Sequence, residues 1–153
     1  TSAIKTFTQQ VNWKNLDFII VDMPPGTGDT QLTFSQGIEM NGAIIVSTPQ
    51  EVALLDVKRG IKMFDKLGVK ILGLIDNMCS FTGDDGKKYA IFGEGGVKRT
   101  AEEFNKEFLA EIPIDPDVGK FGDEGKPIVE SDPNNKISQI YINLAKKIKS
   151  IYL

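Results

Sequence analysis

Asp22 heads the run Asp22-Met23-Pro24-Pro25-Gly26-Thr27-Gly28-Asp29, directly behind the apolar stretch Phe18-Ile19-Ile20-Val21. A carboxylate fixed at the end of a buried strand can hold a water on Mg²⁺ without moving. Pro24 and Pro25 stiffen the chain beyond it. Gly26 lets a backbone N–H approach a phosphate oxygen closely. Together these residue types describe a metal–phosphate site. The same letters also suit a Pro-Gly loop closing a strand-to-helix connection, with Asp22 and Asp29 as helix caps.

Other residues able to do chemistry are fewer. Ser47-Thr48-Pro49-Gln50 and Asp76-Asn77-Met78 are polar groups that end apolar runs. The stretch Gly93-Glu94-Gly95-Gly96-Val97-Lys98-Arg99-Thr100 holds glycines and a lysine, but no glycine immediately precedes Lys98. It reads as a loop entering a helix, and it is not a phosphate-binding loop. TGDDGKK over 82–88 has too few carboxylates at calcium-loop spacing and reads as a hairpin turn. Cys79 is the single cysteine and histidine is absent, so Cys79 reads as a small, partly buried apolar residue.

The elements that would carry these groups alternate between strand and helix. LDFIIV (16–21), GAIIV (42–46) and VKILGLI (69–75) are near-continuous apolar runs of strand length. Such runs fit strands buried on both faces of a parallel sheet. Between the last two, Val52, Leu55, Ile61, Phe64 and Leu67 predict a helix over 52–67, with Gly68 as its C-terminal stop. Shorter helices are predicted over 31–40 and 96–105, and FLAEI (108–112) predicts a fourth strand. A final helix after Asp132-Pro133 carries Ile137, Ile140, Tyr141, Leu144, Ile148 and Ile151 on one stripe. Lys146, Lys147 and Lys149 then sit on its wet side, which is favoured over a membrane-surface helix. This order predicts a doubly wound α/β fold, in which ligands sit beyond the carboxyl ends of the strands.

Composition narrows the class. The chain has 153 residues, 41% of them apolar, enough for one domain with a real core. Lys plus Arg number 18 against 21 Asp plus Glu, which gives no support to a nucleic-acid surface. A lone cysteine allows no internal disulfide and suits a reducing compartment. With no run of transmembrane length, the expectation is a cytoplasmic protein without stable membrane insertion.

DFIIVDMPPGTGDTQLT, STPQEVALLDVKRGIKMF, LGLIDNM and IFGEGGV closely resemble the Mrp family, ATP-binding iron–sulfur cluster carriers of the ParA/MinD-like P-loop group. The resemblance runs from about Asn12 to the final helix. It implies a three-layer, mostly parallel P-loop NTPase-like sheet, with 1–153 forming the C-terminal part of one nucleotide-binding domain. It implies ATP and Mg²⁺ as cofactors, a homodimer, and iron–sulfur client proteins. Asp22 takes the place of the Walker B-type aspartate, holding Mg²⁺ through a water. Pro24, Pro25 and Gly26, through to Asp29, take that of the switch loop sensing the γ-phosphate, with Asp22 and Gly26 as the catalytic pair. Asn77 aligns with the residue that contacts adenine. Pro113, Ile114 and Asp115 align with the loop closing over the base. Asn77 also reads as a strand-end turn residue.

Two departures accompany the match. The family's glycine-rich loop ending in Gly-Lys-Ser/Thr is not among these 153 residues, and without its lysine most of the charge that holds the β- and γ-phosphates is missing. The family's Cys-x-x-Cys pair, which binds an iron–sulfur cluster between two subunits, aligns with Gly83 and Gly86. Glycine is no ligand, and a cluster needs about four thiolates. The expectation is therefore ATP hydrolysis coupled to cluster delivery in the complete protein, with the chain alone inactive. The alternatives are a non-catalytic module that keeps the fold as a scaffold, and a MinD/ParA-like positioning ATPase.

Overall fold

In the computed structural model, residues 6, 10–23 and 28–153 are described, apart from the side chains of 29–31 and 33. Helix α1 (Asp29–Gly37) leads to strand β1 (Ala43–Ser47), helix α2 (Glu51–Lys66) and strand β2 (Ile71–Thr82). A hairpin returns through β3 (Lys88–Tyr89) to helix α3 (Gly96–Glu103) and strand β4 (Phe108–Ile114). Three helices follow: α4 (Pro116–Asp123), α5 (Ile128–Ser131) and α6 (Lys136–Tyr152).

Strand β2 is the centre of the sheet. It runs parallel to β1, with Ile45 opposite Leu74 and Ser47 opposite Asp76. It runs parallel to β4 on its other side, with Asp76 opposite Glu111 and Asn77 opposite Ile112. Only the short β3 is antiparallel. Because side chains alternate along a strand, neighbours on β2 serve different cores. Leu74 packs with Leu54, Val57, Ile61 and Phe64 of α2 and with Val97 and Ala101 of α3. Ile75 packs with Ile112, Ile128 and Ile137, joined by Ile140 and Leu144 of α6. The result is the expected three-layer α/β arrangement.

The end of α2 shows how local sequence fixes a boundary. Gly68 takes a φ of 70°, a conformation that costs glycine nothing. The Gly68 and Val69 amides then donate to the Asp65 and Phe64 carbonyls, at 3.2 and 3.0 Å. This pair of bonds is a Schellman stop. At the other end of the chain, the Asn135 side chain accepts the Ile137 amide at 2.7 Å and starts α6.

Two expectations are corrected. Residues 16–21 do not form a strand; Ile20 is 92% exposed and Leu16, Ile19 and Val21 are exposed with it. A strand needs a ladder partner, and no described strand offers one to this run. Phe18 instead meets Tyr152 of α6 edge-to-face, with ring centroids 6.4 Å apart. In α2 the buried stripe is Leu54, Val57, Ile61 and Phe64, whereas Val52 and Leu55 face outward. Two apolar stripes overlap in this helix, and the sheet lies against the second.

Candidate functional site

Three of the residues singled out from sequence lie near the carboxyl end of β4, although Asn77, expected after its strand, lies within β2 because the ladder runs on to Thr82. Asn77 is half-buried on β2 and lies opposite Ile112, so that Pro113 is the next residue along the neighbouring strand. Asp115 follows directly as the N-cap of α4, with Pro116 in the first turn. Its Oδ1 accepts the Asp117 amide at 2.9 Å, and its Oδ2 accepts the Asn135 side-chain amide at 3.4 Å. The Asp115 carboxylate thus ties the start of α4 to the start of α6. Pro113 and Ile114 end β4, and Asn77 stands beside them within β2.

Asp22 is exposed and lies outside any strand or helix. Pro24, Pro25 and Gly26 fall outside the described residues, as does Thr27. Helix α1 begins one residue after its N-cap, Gly28, with Asp29 as its first residue.

A left-handed cap and the approach of α3 to the β1–α2 loop explain the two glycines that end IFGEGG, in that order. Gly95 caps α3 at a φ of 66°. A Cβ on Gly96 would stand 2.4 Å from the Pro49 carbonyl oxygen and 2.7 Å from Leu54 Cδ1. The helix start and the Ser47-Thr48-Pro49-Gln50 loop are therefore locked together by the absence of a side chain.

The positions that would carry a cluster form a tight turn. The Gly83 amide donates to the Lys87 carbonyl and the Gly86 amide to the Gly83 carbonyl, both at 2.9 Å. Asp85 accepts the Lys87 amide at 3.0 Å and the Tyr89 hydroxyl at 2.8 Å. Those two hydrogen bonds hold its carboxyl below the ordinary carboxylate range. Cys79 is buried, and burial raises its thiol pKa, with Glu111 and Asp76 adding to the effect against a lowering bond from Ser80. A raised thiol is the opposite of the thiolate a metal needs. Among the described residues, no three His, Cys, Asp or Glu side chains gather to hold a metal ion. The residues at 79, 83 and 86 do not fit an iron–sulfur cluster.

Asp76 was placed by sequence in a polar strand-end group, but it lies inside the sheet. It is 1% exposed, and its Oδ1 has no hydrogen-bond partner. Burial first, then the Glu111 charge, raises its pKa to about 6. The signal available in sequence was a single acid continuing the apolar run ILGLI without a turn residue before it. Because the folded-state pKa lies above the ordinary value of 3.8, the folded chain holds this proton more tightly than the unfolded chain. Its contribution to stability therefore falls as pH rises from about 4 to about 6, and the cost is complete above that window. A shift of about two units corresponds to roughly 3 kcal/mol. Asp76→Asn is expected to stabilise the protein by up to about that amount near pH 7.5 and by little near pH 4. Denaturant unfolding at both pH values checks this, and equal effects at both would contradict it.

A model of the family described as ParA, NUBPL iron-transfer P-loop NTPase, matches residues 1–149. An iron–sulfur cluster carrier protein of Aquifex aeolicus is 42% identical over 97% of this chain and 41% of its own length. An Arabidopsis thaliana iron–sulfur protein required for NADH dehydrogenase is 45% identical, over 96% of this chain and 47% of its own. The chain thus spans about half the length of these relatives. Among solved structures, an ADP-bound nucleotide-binding protein from Archaeoglobus fulgidus aligns with a TM-score of 0.74 and 40% identity. That alignment covers 82% of this chain and 52% of the other. The Pyrococcus furiosus cell-division ATPase MinD aligns at 0.71 and 24% identity, over 98% of this chain and 56% of its own, and so shares the fold. No helix among the described residues is long and apolar enough to cross a membrane. From the family match over residues 1–149 and the identities above 40%, the chain belongs to the NUBPL-type iron-transfer P-loop NTPases of the ParA family.

Proposed function

We propose that this chain supplies the Walker B, switch and base-recognition side of a nucleotide site in an iron–sulfur cluster carrier. The observation that supports it best is that Asn77 of β2 stands beside Pro113 near the carboxyl end of the parallel strand β4, the side on which an open α/β sheet binds its ligands. Asp22 would hold Mg²⁺ through a water, and Pro24, Pro25 and Gly26 would face the terminal phosphate. Bound Mg-ATP would supply a hydrolysable phosphoanhydride whose cleavage is coupled to release of the cluster. The Asn77 side-chain amide carries both a donor and an acceptor, which suits the edge of adenine. The complete protein would act as a cytoplasmic homodimer that delivers clusters to client proteins. Its cargo would be held by groups other than Cys79, Gly83 and Gly86.

Calorimetry separates the two halves of this reading. The 153 residues alone are expected to bind Mg-ATP weakly or not at all, because no Gly-Lys-Ser/Thr loop is present to cradle the phosphates. Micromolar affinity for this chain alone would contradict that. In a protein that joins the chain to such a loop, Asn77→Ala is expected to weaken ATP binding about tenfold and to erase discrimination against GTP. Unchanged affinity and unchanged discrimination would remove Asn77 from the base site.

A further inference from the structure

Asp76 sits where a charge is hardest to keep, and next to the place where β2 is weakest. Its Oδ1 has no partner, and its ladder neighbours are Ser47 on β1 and Glu111 on β4. The Ser47 hydroxyl donates to the Thr48 carbonyl at 2.9 Å. Glu111 is the charged group whose field reaches Asp76, and that field is repulsive. Among the described residues, no cation of the helices packed on this sheet face acts on it. Lys58 pairs with Glu103, Arg59 with Asp56 and Arg99 with Glu51, while Lys62, Lys66 and Lys98 are exposed. On β3, Lys88 is exposed and its field acts on Cys79. Immediately beyond Asp76, the β2–β4 register shifts between Asn77 and Phe81. Met78 there holds a φ of 56°, which costs a side-chain-bearing residue on the order of 1 kcal/mol.

We propose that Asp76 is a proton-operated latch on this bend, closed over residues 77–80 when neutral and loosened when ionised. A neutral carboxyl can stay in the sheet at modest cost. An ionised one with an unpartnered oxygen carries an uncompensated desolvation penalty. The cheapest relief is water admitted through the neighbouring backbone that already departs from the ladder. Leu74 and Ile75, paired on both sides, stay shut. Burial and the Glu111 charge place release of the proton at about pH 6, so the latch works across the range in which neutral and mildly acidic compartments differ. It needs no ligand, and Asn77 of the proposed base site lies within the segment it loosens.

Amide hydrogen exchange on the full chain, with intrinsic rates divided out, tests this. Protection at residues 77–80 is expected to fall about tenfold or more between about pH 5 and about pH 7.5. Asp76→Asn should abolish that fall, and Glu111→Gln should move it to lower pH. Protection that does not change with pH, or an equal fall in Asp76→Asn, would overturn the proposal. Should Asp76→Asn not fold, carbon-13 titration of the Asp76 carboxyl in the unmodified chain decides. A midpoint near 6 that coincides with the loss of protection supports the latch, and a midpoint in the ordinary carboxylate range overturns it.

Discussion

Asp22→Asn, made in a protein that also carries a phosphate-binding loop, is expected to cut ATP turnover by about 10²-fold or more with thermal stability nearly unchanged. At tenfold per 1.36 kcal/mol this is roughly 3 kcal/mol of transition-state stabilisation. The two halves of the expectation have separate causes. Asn keeps the size of the side chain and most of its hydrogen-bonding capacity, and Asp22 is exposed, so folding has little at stake. The variant removes the negative charge opposite Mg²⁺, on whose placement phosphoryl transfer depends. Asp29→Asn, at the first position of α1, should cost less turnover, since a carboxylate there mainly favours the helix N-terminus. Equal losses from the two changes, or unfolding by Asp22→Asn alone, would make the Pro-Pro-Gly loop a structural device.

The second large effect concerns stability. Gly96→Ala is expected to destabilise the fold by about 3 kcal/mol, the upper part of the range for overpacking a well-filled site. The new methyl would meet the Pro49 carbonyl oxygen at 2.4 Å, and backbone cannot swing aside as a flexible side chain does. Leu54, its other neighbour at 2.7 Å, is itself core. Either α3 or the loop before α2 must shift. For a domain of this size the melting temperature should drop by about 10 °C. Gly60 supplies the control: it lies within α2, and a Cβ there meets nothing within 4 Å. Gly60→Ala should therefore stabilise by about 0.5–1 kcal/mol through helix propensity. Melting curves of the two variants that move the same way would sink the argument.

The parallel core was readable because AIIV and ILGLI are apolar throughout, which only a strand covered on both faces requires. The Gly68 stop of α2 was readable for an equally local reason. Helices α4 and α5 were not foreseen, since Gly119, Gly122 and Gly125 interrupt any apolar period and α5 is only 4 residues long. The stripe on α2 was read one step off, because 52 and 55 obey the same spacing as 54 and 57. Only the sheet decides between them. Pro113 was legible as a strand-end residue, whereas Asn77, read as following its strand, lies inside β2; their adjacency follows once β2 and β4 pair in parallel. Asp76 was not separable from them by letters alone: whether an acid ends a strand or continues it depends on how far the ladder runs. The reason for glycine at 96 lies 47 positions away, at Pro49, where no local pattern reaches.

The unpaired run at 16–21 also governs how the polypeptide behaves in a tube. Among the described residues β1 pairs only with β2, so no described strand covers its outer edge, and the run at 16–21 adds an exposed stretch of Ile, Leu and Phe. Bare margins of this kind template association between copies. A net charge of −3 opposes it with repulsion that salt screens away. Scattering should therefore climb with protein concentration and with added salt. Handling at low ionic strength, or co-expression with a polypeptide able to add a strand along β1, should keep the protein dispersed.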